Sequence, residues 1–257
     1  MSNFDPNYAA QRGVATDRTA AEIDQGLRSY MLAVYNYMAI GVALTGVAAW
    51  IAFQLAGGDA ITVTGGRIGG LTDFGRLLFS MPGMIVMLVA TFGLVLFISF
   101  RIDRLSPITA LTLFLVYAAL LGVMLSSILF TYTATSIVRV FFISAASFGA
   151  LSLYGYTTQR DLSAFGAFLI MGLVGLFIAM IVNMFWQNTM MGFIISIVGV
   201  LIFAGLTAWD TQKIKEMYDV NDDGTITARK AIMGALTLYL DFINLFLFLL
   251  RLLGDRR

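Results

Sequence analysis

The chain has no cysteine and no histidine in 257 residues. Without cysteine there is no disulfide, no thiolate nucleophile and no sulfur-ligated metal. Without histidine the usual general base, the commonest metal ligand and the unperturbed neutral-pH switch are all missing. Any proton chemistry must come from carboxylates, Lys or Tyr in unusual surroundings. Charge is scarce as well: 12% of residues are charged, against about 25% in an ordinary soluble domain. The net charge is +1, so no bulk field points to nucleic acid. What remains is apolar, with 59% hydrophobic residues. That is too much for one core in water. The composition reads as an all-α membrane protein of several spans.

Seven apolar segments fall near 31–55, 83–100, 108–130, 138–156, 164–186, 192–209 and 231–253. Each has about the 20 residues needed to cross roughly 30 Å of hydrocarbon. A spanning segment must satisfy its own backbone, so these are expected helices. The polar stretch 1–29 has no apolar core of a signal peptide. It is expected to be a cytoplasmic tail, partly disordered to about Ala21, with a surface helix over 21–29. Residues 30–254 form the seven-helix domain and 255–257 a C-terminal tail. The longest connection, 56–82, is Gly-rich with strand-like character at ITVTGG, and 210–230 carries most of the charge.

Lys and Arg counts set the orientation. The N-terminal tail and the second, fourth and sixth loops carry ten, and the first, third and fifth loops carry three. The N-terminus is therefore expected in the cytoplasm. Seven full spans then put Arg251, Arg256 and Arg257 on the disfavoured side, so the last helix either crosses against the rule or stops short. A crossing is the favoured reading. Small residues four apart, Ala145 with Gly149, Ala146 with Ala150 and Gly192 with Ser196, suggest close helix contacts.

The last segment contains LYLDFINLF, with Asp241 near its middle. A carboxylate there costs about 2.5–3.5 kcal/mol on insertion scales. Thr237, Asp241 and Asn244 lie four and three residues apart, one polar stripe on one face, continued by Arg251. Such a stripe should face the bundle interior. A second carboxylate, Asp210, closes the sixth apolar run in AGLTAWDTQKIKEMYD. Spacing puts it at the cytoplasmic boundary, while Asp241 lies about ten residues, or roughly 15 Å, into its own helix. The two meet only if helix six is submerged deeper than its hydropathy suggests, or helix seven is bent. In contact they would share a proton. Apart, each is satisfied by Thr, Asn, Arg or backbone. Spacing leaves both arrangements open.

Arg101 and Arg104, in SFRIDRLSP at the end of helix two, are the cations best placed to meet such a pair. Either also serves as a positive-inside anchor. Asn183 reads as an interhelical hydrogen-bonding group, and Asp161 or Ser163 as a cap for helix five. DVNDDGTITARK, residues 219–230, follows a calcium-loop pattern through Asp219, Asn221, Asp223, Gly224 and Ile226. Its twelfth position is Lys230 where a bidentate Glu belongs, so a solvated turn is the expectation.

The segments LSLYGYTTQRDLSAFGAFLIMGLVGLFIAMIVNMF, VGVLIFAGLTAWDTQKIKEMYD, AIMGALTLYLDFINLFLFLLRLLG and, in helix three, LTLFLVYAALLGVMLSSILF resemble the Bax inhibitor-1 family. These are the transmembrane Bax-inhibitor-motif proteins, and the likeness is to their bacterial branch. The resemblance implies seven helices with the last one central, in a bacterial inner membrane. It implies that Asp210 and Asp241 form a pH-sensing pair, bridged by an arginine at the end of helix two. Ungapped spacing to GVMLSSI selects Arg104 and one turn of slack selects Arg101. It further implies a pH-dependent calcium leak, in which Asp210 and Asp241 would hold the ion transiently, and a link to a membrane protease.

Two functions compete. The first is a cation leak gated by the aspartate pair, with no cofactor and calcium as the permeant ion. The second is a non-enzymatic modulator that binds a membrane quality-control protease or a stress-response partner through its N-terminal tail and loops. Intramembrane aspartyl proteolysis is disfavoured, because neither aspartate sits in a GxGD motif. No inverted repeat of broken helices favours a proton-coupled transporter.

Overall fold

A computed structural model describes the backbone of residues 6–60, 62–64 and 67–256, with side chains from Asp24 onward except at 61–68. The backbone runs as one helix from Pro6 through residues 21–29, where partial disorder before Ala21 and a separate surface helix were the expectation. The chain runs as α1 (Pro6–Ala56), a hairpin of β1 (Thr62–Thr64) and β2 (Arg67–Gly69), α2 (Asp73–Leu78), α3 (Met81–Arg101), α4 (Pro107–Leu125), α5 (Ile128–Thr131), α6 (Ala134–Thr157), α7 (Ser163–Trp186), α8 (Thr189–Glu216) and α9 (Gly224–Leu253). The hairpin is antiparallel, with Thr62 opposite Gly69. It falls where ITVTGG suggested a strand.

Helix starts follow local chemistry. Ser80, Ser106, Thr133, Asn188 and Asp223 each accept a backbone N–H from the first turn that follows. Pro82 and Pro107 sit in first turns, where no N–H is needed. Among the spanning helices from α3 onward, α7 is the exception. Its cap position, Leu162, has no side-chain bond, and instead Ser163 N–H donates to Asp161 Oδ1 at 2.8 Å.

Seven helices are long and apolar enough to cross a membrane: 24–56, 81–104, 107–131, 134–157, 163–186, 189–216 and 224–253. All seven expected segments are among them. Around the charged loop the helices outrun the apolar segments at both ends: α8 runs on to Glu216 and α9 begins at Gly224. Both extensions are polar, so hydropathy alone stopped short of them.

α9 packs against α8, α1, α6 and α4. Two-thirds of its apolar window, 67%, is buried, against at most 33% for the other six spans. α3, the least buried, leans chiefly on α4. The closest helix approaches are not at the small-residue pairs expected from sequence. Nothing lies near the hydrogen side of Gly149, whereas Gly155 presses on the Ala208 backbone and Gly122 on the Thr45 backbone. The buried face of α6 is Ser136, Val140, Ser144, Phe148 and Ser152. Ala145 and Gly149 lie one position off that face, so their spacing was right and their azimuth wrong.

The last helix traverses the whole bundle. Gly26 and Tyr30 of α1 lie beside Tyr218, at the α8–α9 loop. The C-terminal residues lie at the opposite end, where Thr133 N–H donates to Asp255 O at 3.0 Å and Arg139 pairs with Asp255 at 2.8 Å. Residues 26–30 and residues 254–256 are thus at opposite ends of the bundle, as a full seventh crossing requires.

Candidate functional site

The register of α8 on α9 is set by two glycines. Gly234 receives Ile214, and Gly199 receives the ring of Phe248. This register puts Asp210 level with Leu238 and Asp241 level with Thr207, a stagger of about 4.5 Å along the axes. Side chains on a helix lean toward its N-terminus. In an antiparallel pair the leans of Asp210 and Asp241 therefore converge and close the stagger. The two carboxyl groups come within hydrogen-bond reach of each other.

Asp210 is 9% exposed and Asp241 is 5% exposed. Neither helix bends to bring them together: α8 stays packed inside the bundle past the end of its apolar run. Leu206, Thr207, Ala208, Thr211, Gln212 and Ile214 are all buried around Asp210, and α9 is continuous past Asp241. Asp241 Oδ2 is buried and meets no donor group. Its neighbour is another carboxyl, and two carboxyl oxygens can stay in contact only with a proton between them. Lys213 is the cation whose field reaches Asp210. Its ammonium lies 5.1 Å from the Trp209 ring.

Hydroxyl groups tie the pair's surroundings together. Tyr35 OH and Ser152 Oγ are 2.6 Å apart, and Ser152 Oγ lies 3.0 Å from Thr211 Oγ1, next in sequence to Asp210. Gln212 holds the α6–α7 turn, accepting from Leu162 N–H at 2.9 Å and donating to Arg160 O at 2.8 Å. On the other side, Tyr239 OH meets Thr45 Oγ1 at 2.7 Å, between the rings of Phe114 and Tyr117. Tyr239 is fully buried, two residues before Asp241. It joins α9 to α1 and α4. Sequence reasoning passed over Tyr239, Thr45, Ser152, Thr211 and Gln212. A tyrosine in an apolar run is an ordinary sight, and the other four gain meaning only from partners at least 50 positions away.

The other expected site residues are placed differently. Thr237 Oγ1 donates to Met233 O at 3.1 Å and Asn244 Nδ2 to Leu240 O at 2.8 Å, so both answer to their own helix rather than to Asp241. Their stripe is the least covered side of α9. Met233, Thr237, Leu240, Asn244 and Leu247 are half-buried and Arg251 is exposed, while Asp241 at its edge is buried. The stripe was expected to face inward; its members face the thinnest part of the packing. Arg101 and Arg104 are both exposed. Neither makes an ion pair or hydrogen bond with the aspartates among the described residues. The loop that carries them is fixed to α9 by another cation, Arg229, whose Nε donates to Leu105 O at 2.6 Å.

Residues 219–230 form a turn and a cap. Asp219 Oδ1 accepts from the backbone and the side chain of Asn221, which hold its carboxyl below the usual range. Asp223 caps α9 by accepting from Ile226 N–H at 2.7 Å, and Lys230 pairs with Asp222. No three acidic groups converge among the described residues. Asn183 Oδ1 accepts from Asn188 N–H at 3.1 Å and so shapes the α7–α8 turn; the bond lies within a turn, not between packed helices.

Comparison with known proteins places this geometry. The family described as inhibitor of apoptosis-promoting Bax1 matches residues 27–257. An uncharacterized protein of Rickettsia prowazekii is 46% identical over 91% of this chain and 92% of its own. An uncharacterized protein of Caulobacter vibrioides is 40% identical over the full length of both. The inner membrane protein YbhL of Escherichia coli is 43% identical over 90% of this chain and 94% of its own. With a match that runs through all seven spans, the chain belongs to the Bax inhibitor-1 family of multi-pass integral membrane proteins.

Proposed function

We propose that the protein is a pH-responsive leak for calcium or a similar cation, gated by the Asp210–Asp241 pair. One observation carries the reading: two carboxyl groups meet inside the α8–α9 packing, and Asp241 Oδ2 is buried with no hydrogen-bond donor beside it. The pair has three protonation states with different charge. With one shared proton it ties α8 to α9. With none, two negative charges are in contact and repel. With two, no charge remains to attract a cation. Proton concentration thus biases an equilibrium between joined and parted helices.

The half-buried stripe of α9, from Met233 to Leu247, supplies the route. The burial of α9 supports reading it as the axis of the bundle. Two carboxylates without a third acidic group make a transient stop for calcium rather than a cage, which takes six to eight oxygens. A permeant ion needs that weakness in order to leave. The arginine latch belongs to the reading only as a second state, in which Arg101 or Arg104 moves to the pair when it loses its proton.

Calcium flux into proteoliposomes at pH 6 and pH 8 tests the gate. Wild type is expected to differ between the two. Asp210→Asn and Asp241→Asn, whose amides cannot titrate, are expected to lose the difference. A difference that survives in both variants would sink the gate.

A further inference from the structure

The far end of α9, away from the aspartates, has its own cavity of about 820 Å³. It lies between α5, the α7–α8 turn and residues 247–256. Two guanidinium groups line it, Arg251 and Arg256, and no carboxylate does. Asp255, next to Arg256 in sequence, is taken by Arg139, and neither Arg251 nor Arg256 has an ion-pair partner among the described residues.

Both arginines are held in place. Arg251 lies over the Phe248 ring at 5.9 Å and Arg256 over the Tyr132 ring at 6.0 Å. The segment that carries Arg256 is pinned to the start of α6, through Thr133 N–H on Asp255 O and Asp255 N–H on Ser136 Oγ at 2.9 Å. Tyr132 and Arg256 also form an isolated β-bridge.

The opposite wall is the start of α8, including Asn188, Thr189 and Gly192. A helix of 28 residues presents the positive end of its dipole there. Beside it, Gln187 has φ 43°, the only left-handed non-glycine backbone among the described residues. That conformation closes α7, with Gln187 N–H donating to Asn183 O, and so fixes where α8 begins. Ser127 and Thr131 add neutral hydroxyls.

We propose that this cavity binds a phosphate group between Arg251 and Arg256. Planar guanidiniums match phosphate oxygens in pairs, and a helix N-terminus favours the same charge. Among the described residues, two cations line this cavity without an acidic partner, which suits an anion and repels a free metal ion. The phosphate can belong to an anionic lipid headgroup or to a free phosphate. The site is independent of the aspartate gate.

The test uses the purified full chain in a neutral detergent. Thermal unfolding is followed while phosphatidylglycerol, phosphatidylcholine, inorganic phosphate or chloride at matched ionic strength is added. Phosphatidylglycerol or inorganic phosphate is expected to raise the midpoint, and whichever does so names the source. Phosphatidylcholine and chloride are expected to have little effect. Arg251→Gln with Arg256→Gln should weaken the response at least about tenfold, while Arg76→Gln, outside the cavity, should keep it. Arg256→Gln alone serves if the double variant does not fold, and should show a smaller loss in the same direction. No shift with either phosphate, or an equal shift in the variants, overturns the proposal.

Discussion

α7 and α9 are both apolar helices, yet 67% of the α9 window is buried and 17% of the α7 window. α7 has the highest mean hydropathy of the seven spans and α9 is well below it. In water that order would be reversed, because the most apolar helix would be the most buried. In a bilayer lipid is as apolar as leucine, so burial gains nothing from hydrophobicity alone. What drives a helix inward is what lipid cannot satisfy. α9 carries Asp241 and the Tyr239 hydroxyl, and both find partners inside. α7 displays Phe168, Phe177 and Phe185 outward.

The sharpest way to break that contrast is by volume. A Cβ at Gly155 would meet the Ala208 carbonyl oxygen, whereas Gly175 on α7 has open space. Gly155→Leu is expected to cost about 3 kcal/mol or more and to leave little folded protein on gel filtration. Gly175→Leu should elute as wild type. A milder form compares rings. Phe242 packs between Phe141 and Phe148 at 5.7 and 5.6 Å. Phe242→Ala is expected to cost roughly 1–3 kcal/mol in detergent unfolding, from lost contacts alone. Phe168→Ala should stay within about 0.5 kcal/mol. Equal losses at the two positions would refute the contrast.

Tyr239→Phe removes one hydroxyl and keeps the ring. The bond to Thr45 Oγ1 is worth about 1 kcal/mol, read as a lower unfolding midpoint. The smallest effect lies outside the spans. Hydrogen bonds from Ser163 hold the Asp161 carboxyl below its usual range. A lowered acid stabilises the fold above the unfolded carboxylate range, and that contribution is lost as pH falls through it. Wild type should therefore lose slightly more stability than Asp161→Asn between pH 5 and pH 3, in a midpoint measured against pH. Both should unfold alike at pH 7 if the amide oxygen keeps the bond.

Seven helices were legible because length and hydropathy respond to the bilayer's thickness, which the sequence meets span by span. Asp241 was legible as an anomaly, a carboxyl in a run that should exclude it. Asp210 was legible only as a boundary residue. Its neighbours Thr207, Thr211 and Gln212 are polar, and a hydropathy count ends the span there. The structure buries them because Ser152, Arg160 and Leu162 supply their partners, and those partners lie on other elements. The stripe of Thr237 and Asn244 misled for a related reason. Periodicity gives the residues that share a face, and only the neighbouring helices determine which face is covered.

By itself the sequence determined the membrane class, the number of helices, most of their caps and the presence of one acidic group inside a span and another at a span's edge. Each of these follows from local chemistry or from the solvent the chain must meet. Only the tertiary structure decided that the carboxyls touch and that Arg229, rather than Arg101 or Arg104, fixes the loop between the second and third spans to α9. It also decided that Arg251 and Arg256 share a cavity. Those outcomes depend on helix register and azimuth, set by glycine contacts such as Gly199 with Phe248 and Gly234 with Ile214. A shift of one residue along α8 would turn its side chains by about 100° and separate the pair, while leaving the hydropathy of every span unchanged.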